Sequence, residues 1–276
     1  MTALSFKPCF FLTRGKALVM GLFSKKTPSI IQSQHEWRKW EASNIAHHLA
    51  ALEQAIIDPL MERTFGHQLL QISIAGSPSL HQNSPIANKA ILHFSYPVQG
   101  LGHALISEPE YLAIANEHVD VLILHHVLEF SNNPHQVLRE AQRVLSAGGY
   151  LFVVGFNPWS LWALKKAFAL ARKAPWNGNY LSYGRISDWM RLLDFNLQNT
   201  QFGFFKFPAS NEQFMASCDW LEQAGQKYNC FFGGFYVMVA RKQILGVTPL
   251  RSIKTRRRII PFPVTEPTTR SSRFSD

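Results

Sequence analysis

Cysteine is scarce in this chain, and what there is forms no pattern. Cys9, Cys218 and Cys230 are odd in number and scattered through 276 residues. They support neither a disulfide framework nor a cysteine-based zinc site, and they suit a reducing cytoplasm, the expected location. No apolar run approaches the ~20 residues a membrane-spanning helix needs. The amino-terminal stretch MTALSFKPCFFLTRGKALVMGLFSKK is basic and partly apolar. It is interrupted by Pro8, Arg14 and Lys16, and no small-residue cleavage site follows a long apolar segment. Met20 is an equally good starting residue. No internal repeat is visible.

A surplus of one charge is also missing from the body of the chain. The formal net charge is +10, but residues 1–26 hold five bases and no acid, and residues 245–276 hold seven bases against two acids. Between them sixteen bases face sixteen acids. The high isoelectric point therefore belongs to the tails, and composition alone makes no case for a nucleic-acid-binding face. Residues 1–32 and 243–276, the latter carrying Arg256-Arg257-Arg258, read as disordered basic extensions. The second of these either touches RNA or acidic lipid or is a solvated tail.

What is present is a 46% apolar chain, enough for one large domain. Its clearest stretch runs from His118 to Pro158. Val119-Asp120-Val121-Leu122-Ile123-Leu124 is short, branched and without polar alternation, as suits a strand covered on both faces. Asn133-Pro134 reads as a helix cap followed by the position where proline costs least. Val137, Leu138, Ala141, Val144 and Leu145 then recur at helical steps. Gly148-Gly149 is expected to stop that helix, and Tyr150 to Val154 supplies a second strand. Strand, helix and strand make a right-handed crossover unit of an α/β sheet. In such sheets ligands bind at the carboxyl ends of strands, which places His125 and His126 at a candidate site. An imidazole there could accept a proton. Adjacent histidines cannot form the i, i+4 pair of a helical metal site, and the sequence shows no nearby carboxylate or cysteine cluster, so no metal is expected.

These residues, VDVLILHHVLEFSNNPHQVLREAQRVLSAGGYLFVVGFNP, resemble the fourth strand, following helix and fifth strand of class I S-adenosylmethionine-dependent methyltransferases, and most closely the methyltransferase type 11 group. Asp120, Leu138-Arg139-Glu140, Val144-Leu145 and Gly148-Gly149 carry the likeness, which extends over about residues 66–242. It implies an α/β, Rossmann-like, doubly wound and mostly parallel seven-stranded sheet with an antiparallel last strand. It also implies S-adenosylmethionine as cofactor. By that resemblance His67–Ala75 is the first strand, and the glycine-rich cofactor turn falls on Ser73, Ala75 and Ser77, with Gly76 between the last two. Gln71 stands where an acid is often found. Lys89–Phe94 is the second strand, and its exit carries Ser95 in place of the carboxylate that holds the ribose hydroxyls. Glu108 takes the place of the aspartate near the adenine amine, or else is a solvated loop residue. His125 would contact the methionine moiety.

Around this unit, residues 33–65 read as an apolar helical stripe containing Trp37, Trp40, Leu49 and Ile56, kinked or divided at Pro59. It either lids the cofactor pocket or packs on the sheet edge. Residues 159–173 and Ile186–Leu193 read as helices, Phe195–Phe204 as a strand, 206–234 as an aromatic loop and Phe235–Ala240 as the antiparallel last strand. Phe156-Asn157-Pro158-Trp159 resembles the Asn-Pro-Pro-aromatic signature of amino-methylating enzymes, displaced by one strand. Asn157, Trp159 and Tyr183, with Tyr180, are substrate-side candidates; the other reading of Asn157-Pro158 is a strand exit.

The resemblance implies methyl transfer to an unidentified acceptor, a small molecule, with His125 or His126 as the base where one is needed. In-line transfer from a sulfonium depends more on proximity than on a dedicated base. A different class is a non-catalytic relative that binds or regulates, which the altered cofactor turn favours. A third is a nucleic-acid methyltransferase, resting on Asn157-Pro158-Trp159 and the basic tail.

Overall fold

The computed structural model describes residues 30–74, 79–94, 104–168, 174–208 and 218–243. The chain enters through two helices, α1 (Ile30–Glu41) and α2 (Asn44–Met61). The expected single stripe is divided at Ser43 and not at Pro59. Ser43 is extended, and its hydroxyl accepts from the backbone N–H of Ala46. A serine N-cap starts a new helix at that point. Pro59 lies in the last turn of α2, where its missing N–H removes a single helical bond.

Seven strands follow: β1 (Gln68–Ser73), β2 (Asn88–His93), β3 (Ala104–Ile106), β4 (Val119–His125), β5 (Leu145–Phe156), β6 (Phe195–Gly203) and β7 (Phe235–Lys242). Helix α3 (Pro134–Val144) joins β4 to β5. Helices α4 (Leu161–Phe168) and α5 (Tyr183–Leu192) lie between β5 and β6, and α6 (Asp219–Tyr228) precedes β7. The order across the sheet is β3-β2-β1-β4-β5-β7-β6. Strands β3, β2, β1, β4 and β5 are parallel neighbours, while β7 runs antiparallel between β5 and β6. This is the Rossmann-like doubly wound sheet, with an antiparallel last strand, that the resemblance implies.

Two apolar layers sandwich the sheet, as a sheet with two apolar faces requires. One holds Trp37, Leu49, Ile57, Phe156, Trp162 and Phe204, from α1, α2, α4 and one sheet face. The other holds Val137, Leu138, Ile186, Met190, Phe202 and Tyr236, from α3, α5 and the opposite face.

Several local expectations are corrected. Asn133 makes no side-chain cap; its backbone carbonyl accepts from Gln136 and Val137, and the Ser131 hydroxyl accepts from its N–H. Helix α3 ends at Val144 because Leu145 turns extended, and the glycine pair lies inside β5. There the pairing with β4 slips from Val119↔Leu145 to Val121↔Tyr150, and Gly148 takes φ 79°, open to glycine at little cost. Asp120, at the amino end of β4, accepts from the N–H groups of His67 and Gln68 and so ties down the start of β1. Strand β3, for which the sequence reading gives no bounds, lies directly before the turn that holds Glu108. The aromatic loop contains α6, whose Glu222 accepts from the N–H groups of Phe204 and Phe205 and caps the exit of β6. The expectations for residues 1–29 and 244–276 lie outside the described residues. Among the described residues no helix is long and apolar enough to cross a membrane.

Candidate functional site

Strands β1 and β4 pair so that Ser73 lies opposite His125 at their carboxyl ends. A chain of hydrogen bonds starts there. The Ser73 hydroxyl is 3.0 Å from His125 Nδ1, and His125 Nε2 is 3.0 Å from Glu53 Oε2. Glu53 Oε1 lies 2.8 Å from His126 Nε2, and His126 Nδ1 lies 3.4 Å from Glu129 Oε1. That oxygen also accepts from the Phe156 N–H at 2.6 Å. All five side chains in this chain are at most 1% exposed.

Successive side chains of a strand point to opposite faces, yet both histidines reach the same carboxylate. The backbone explains it. His126 has φ 52°, a left-handed conformation that a residue with a Cβ adopts only at some cost. This step swings the second imidazole back to the side of the first. It is secured by the His126 N–H donating to Val154 O and by the ring stacking 4.1 Å from Phe156. Trp37 from α1 closes over the stack at 5.2 Å from the His126 ring.

Burial pushes the Glu53 carboxyl up, but the two imidazoles outweigh it and bring the carboxyl down to about 2. Burial depresses both histidines. For His126 the charge of Glu53 and the hydrogen bonds of Glu129 and Glu53 reverse the effect, holding it at about 9. For His125 burial wins, and its pKa is lowered. At neutral pH the site therefore holds a carboxylate, an imidazolium and a neutral imidazole. A carboxylate only accepts, so the proton of His125 is on Nε2, and its bare Nδ1 accepts from the Ser73 hydroxyl. Ser73 is fully buried, which excludes it as a nucleophile toward any external substrate.

A cavity of about 190 Å³ opens beside this network, lined by Trp37, Trp40, Glu41, Leu49, Glu53 and His125 among others. Burial raises the Glu41 carboxyl to about 7, against the hydrogen bond that it accepts from Trp37 Nε1 at 3.0 Å.

The structure thus unites Ser73, His125 and His126, and adds two acids that sequence reasoning missed. The expectation that no carboxylate lies near the histidine pair is overturned by Glu53 and Glu129. Glu53 continues the buried stripe Ile45, Leu49, Ile57, Met61 at four-residue steps, a signal present in the sequence. Glu129 is the one acid in an otherwise apolar turn. His93, at the end of β2, was also missed. It is buried, and neither ring nitrogen has a hydrogen-bond partner among the described residues. The β1–β2 register, continued by one residue, sets it level with Ser73.

Other candidates fall elsewhere. Ala75, Gly76 and Ser95 lie outside the described residues. Gln71 is buried, and its Oε1 accepts from Leu80 N and bonds His81 Nδ1, pinning the returning loop. Glu108 is exposed in the turn after β3. Asn157 is corrected as a substrate ligand: its amide donates to Phe231 O and Gly233 O, its oxygen accepts from Trp159 N, and the residue is fully buried. It fastens the strand exit to the loop before β7. Trp159 is half-buried in the turn between β5 and α4. Tyr183 is 40% exposed and rests edge-on against Phe202, part of the apolar layer opposite the one that holds Phe156. It is therefore remote from the histidines. Tyr180 is the tyrosine beside them, buried and 5.1 Å from the Phe156 ring.

A model described as "Methyltransferase domain" matches residues 89–153, from β2 into β5. The YafS protein of Escherichia coli (strain K12) is 31% identical over 216 residues, covering 76% of this chain and 82% of that protein. A methyltransferase of Haloferax volcanii, solved with a methyltransferase activator, superposes with a TM-score of 0.54 at 14% identity, over 78% of this chain and 99% of that one. An S-adenosylmethionine-dependent methyltransferase of Thermotoga maritima gives 0.54 at 19% identity, over 76% and 95%. At these identities the two structures speak to the fold. Fold, domain match and a relative of this identity across most of both chains agree: the chain belongs to the class I S-adenosylmethionine-dependent methyltransferases, in the methyltransferase type 11 group.

Proposed function

We propose that this protein binds S-adenosylmethionine at the carboxyl edge of β1, β2 and β4 and transfers its methyl group to a small-molecule acceptor. The observation that carries this reading is His93. A buried imidazole whose two nitrogens find no partner among the described residues is costly unless something satisfies it. It stands one strand from Ser73, at the end of the strand whose exit, by resemblance, faces the ribose. A ribose diol both donates and accepts hydrogen bonds, as a neutral imidazole does, and burial keeps His93 neutral by lowering its pKa. His93 would thus do for the ribose what a carboxylate does in relatives.

The remaining groups fit the same ligand. Glu108, exposed in the turn after β3, would accept from the adenine amine. The backbone at Ser73, Ala75 and Gly76, together with Ser95, would face the methionine and ribose end. The cofactor supplies a methyl group already activated on a sulfonium. The protein's part is then to hold donor and acceptor in line and to exclude water. His125 has its one lone pair, on Nδ1, taken up by the Ser73 hydroxyl and its Nε2–H by Glu53, so it would act by holding the carboxyl edge of β1 and β4 in shape and not as a base. His126, held as an imidazolium up to about pH 9, is no base at neutral pH and serves to anchor Glu53.

Calorimetric titration with S-adenosylmethionine and S-adenosylhomocysteine tests this, with Glu108→Ala and His93→Ala measured alongside. Micromolar binding weakened in both variants supports the reading. No binding at millimolar cofactor by folded protein sinks it. That second outcome would favour a non-catalytic binding protein of the same fold, a reading supported by the complete burial of both histidines. Asn157, with its side chain spent on backbone, no longer supports a nucleic-acid acceptor.

A further inference from the structure

We propose that Glu53, His125 and His126 form a binding site for one divalent transition-metal ion, zinc being the chemical type that fits best, with one coordination position open to the neighbouring cavity. The proposal rests on these side chains alone and is independent of methyl transfer.

One ligand atom from each of the three residues lies within 4.8 Å of the others. Zinc–nitrogen and zinc–oxygen bonds of about 2.0–2.2 Å place tetrahedral ligands roughly 3.4 Å apart. The separations of 3.0 Å from Glu53 Oε2 to His125 Nε2 and 2.8 Å from Glu53 Oε1 to His126 Nε2 are close to that spacing. A small rotation of the carboxylate, transfer of the His125 proton from Nε2 to Nδ1 with the Ser73 hydroxyl turning to accept it, and release of the His126 Nε2 proton to solvent turn the hydrogen-bonded cluster into three ligands around one point. Two imidazoles and one carboxylate are a catalytic-type zinc set that leaves the fourth position for water or substrate. Magnesium and calcium prefer all-oxygen shells and are disfavoured.

The groups behind the ligands strengthen the case. Metal-bound histidines donate their other ring N–H to an oxygen acceptor, commonly a carboxylate, a backbone carbonyl or water, which orients the ring. Both histidines have such a partner, Ser73 on Nδ1 of His125 and Glu129 on Nδ1 of His126. The left-handed backbone at His126 aims the second ring at the shared point. A strained residue of this kind is common where function requires it. Two of the three ligands, Glu53 and His125, line the neighbouring cavity, through which an open position would be reached.

The test uses full-length protein dialysed against chelator, then titrated with zinc and read by calorimetry and by elemental analysis after gel filtration. The expected result is one zinc per chain, lost in Glu53→Gln and weakened about 10–100-fold in Ser73→Ala. Cobalt in place of zinc reports the ligand types. A d–d spectrum without a thiolate charge-transfer band supports the site. A thiolate band would assign the metal to cysteine and overturn the proposal, as would folded wild-type protein that retains no zinc, or undiminished binding in folded Glu53→Gln. Should Glu53→Gln not fold, the cobalt spectrum of the wild type and the Ser73→Ala titration decide.

Discussion

Glu53 and His126 are 73 positions apart and meet at 2.8 Å, each at most 1% exposed. This contact joins the helical pair ahead of the sheet to the carboxyl end of β4, so that α2 and the candidate site stand or fall together. An ion pair taken out of water gains little over an apolar pair of the same shape, but breaking it from one side strands a buried charge.

Glu53→Ala leaves the His126 imidazolium with only the long contact to Glu129. A loss of about 3–5 kcal/mol is expected, a large share of the ~5–15 kcal/mol that stabilises a typical domain. Denaturant unfolding checks it: the midpoint should fall with the slope preserved. A midpoint within error of the wild type would show that the pair contributes nothing.

The sequence made the sheet legible and the site only partly so. Strand β4 could be read because Val121 to Leu124 is apolar on both faces, and β7 because Phe235 to Ala240 has the same character. The ends of α3 and α1 could not. A glycine pair signals a turn and a bulge equally well, and Ser43 as a cap is visible only once the helix is known to restart. Glu53 was hidden for a different reason. On a helix an acid is usually solvated, and its place in the buried stripe makes sense only beside two histidines that the fold delivers from 72 and 73 residues away. His93 escaped notice because nothing local distinguishes a buried strand-end histidine from a solvated one.

Glu41 gives a pH signature. Its carboxyl is raised to about 7 by burial, so the folded state holds that proton more tightly than the unfolded chain does. The unfolded chain loses the proton near 4.5, and the folded state only near 7. Stability therefore falls as pH rises through that window, and levels off above it. With allowance for its partial exposure the decline is about 1–2 kcal/mol. Melting temperatures of wild type and Glu41→Gln across this window should converge at the acidic end and separate toward pH 7, the variant being the more stable there. Parallel profiles would show that Glu41 does not titrate in this range.

Asn157→Ala removes two donors and one acceptor, all satisfied by backbone. A cost of about 2–3 kcal/mol is expected from the carbonyls and the N–H left without partners. Because the side chain is spent on structure, S-adenosylmethionine affinity of the folded variant should match the wild type. A variant of unchanged stability that has lost ligand binding would return Asn157 to the substrate side.

Tyr183 and Tyr180 make the sharpest contrast between sequence expectation and structure. Tyr183 is exposed against Phe202, across the sheet from the histidines, so Tyr183→Ala should leave cofactor affinity unchanged and cost less than about 1 kcal/mol of stability. Tyr180 packs beside Phe156, which carries the His126 ring, and its hydroxyl donates to Pro175 O. Tyr180→Ala opens a cavity in that aromatic stack, with an expected cost of about 3–5 kcal/mol, the range for truncating a large core aromatic. It also frees the ring that holds His126 in its left-handed turn. Calorimetric titration of both variants with S-adenosylhomocysteine, beside their denaturation midpoints, separates the two. Tyr180→Ala should lose stability and affinity together, and Tyr183→Ala neither. The reverse order would place the acceptor side of the site on the opposite face of the sheet, next to Phe202, and would remove the histidine pair from the candidate site.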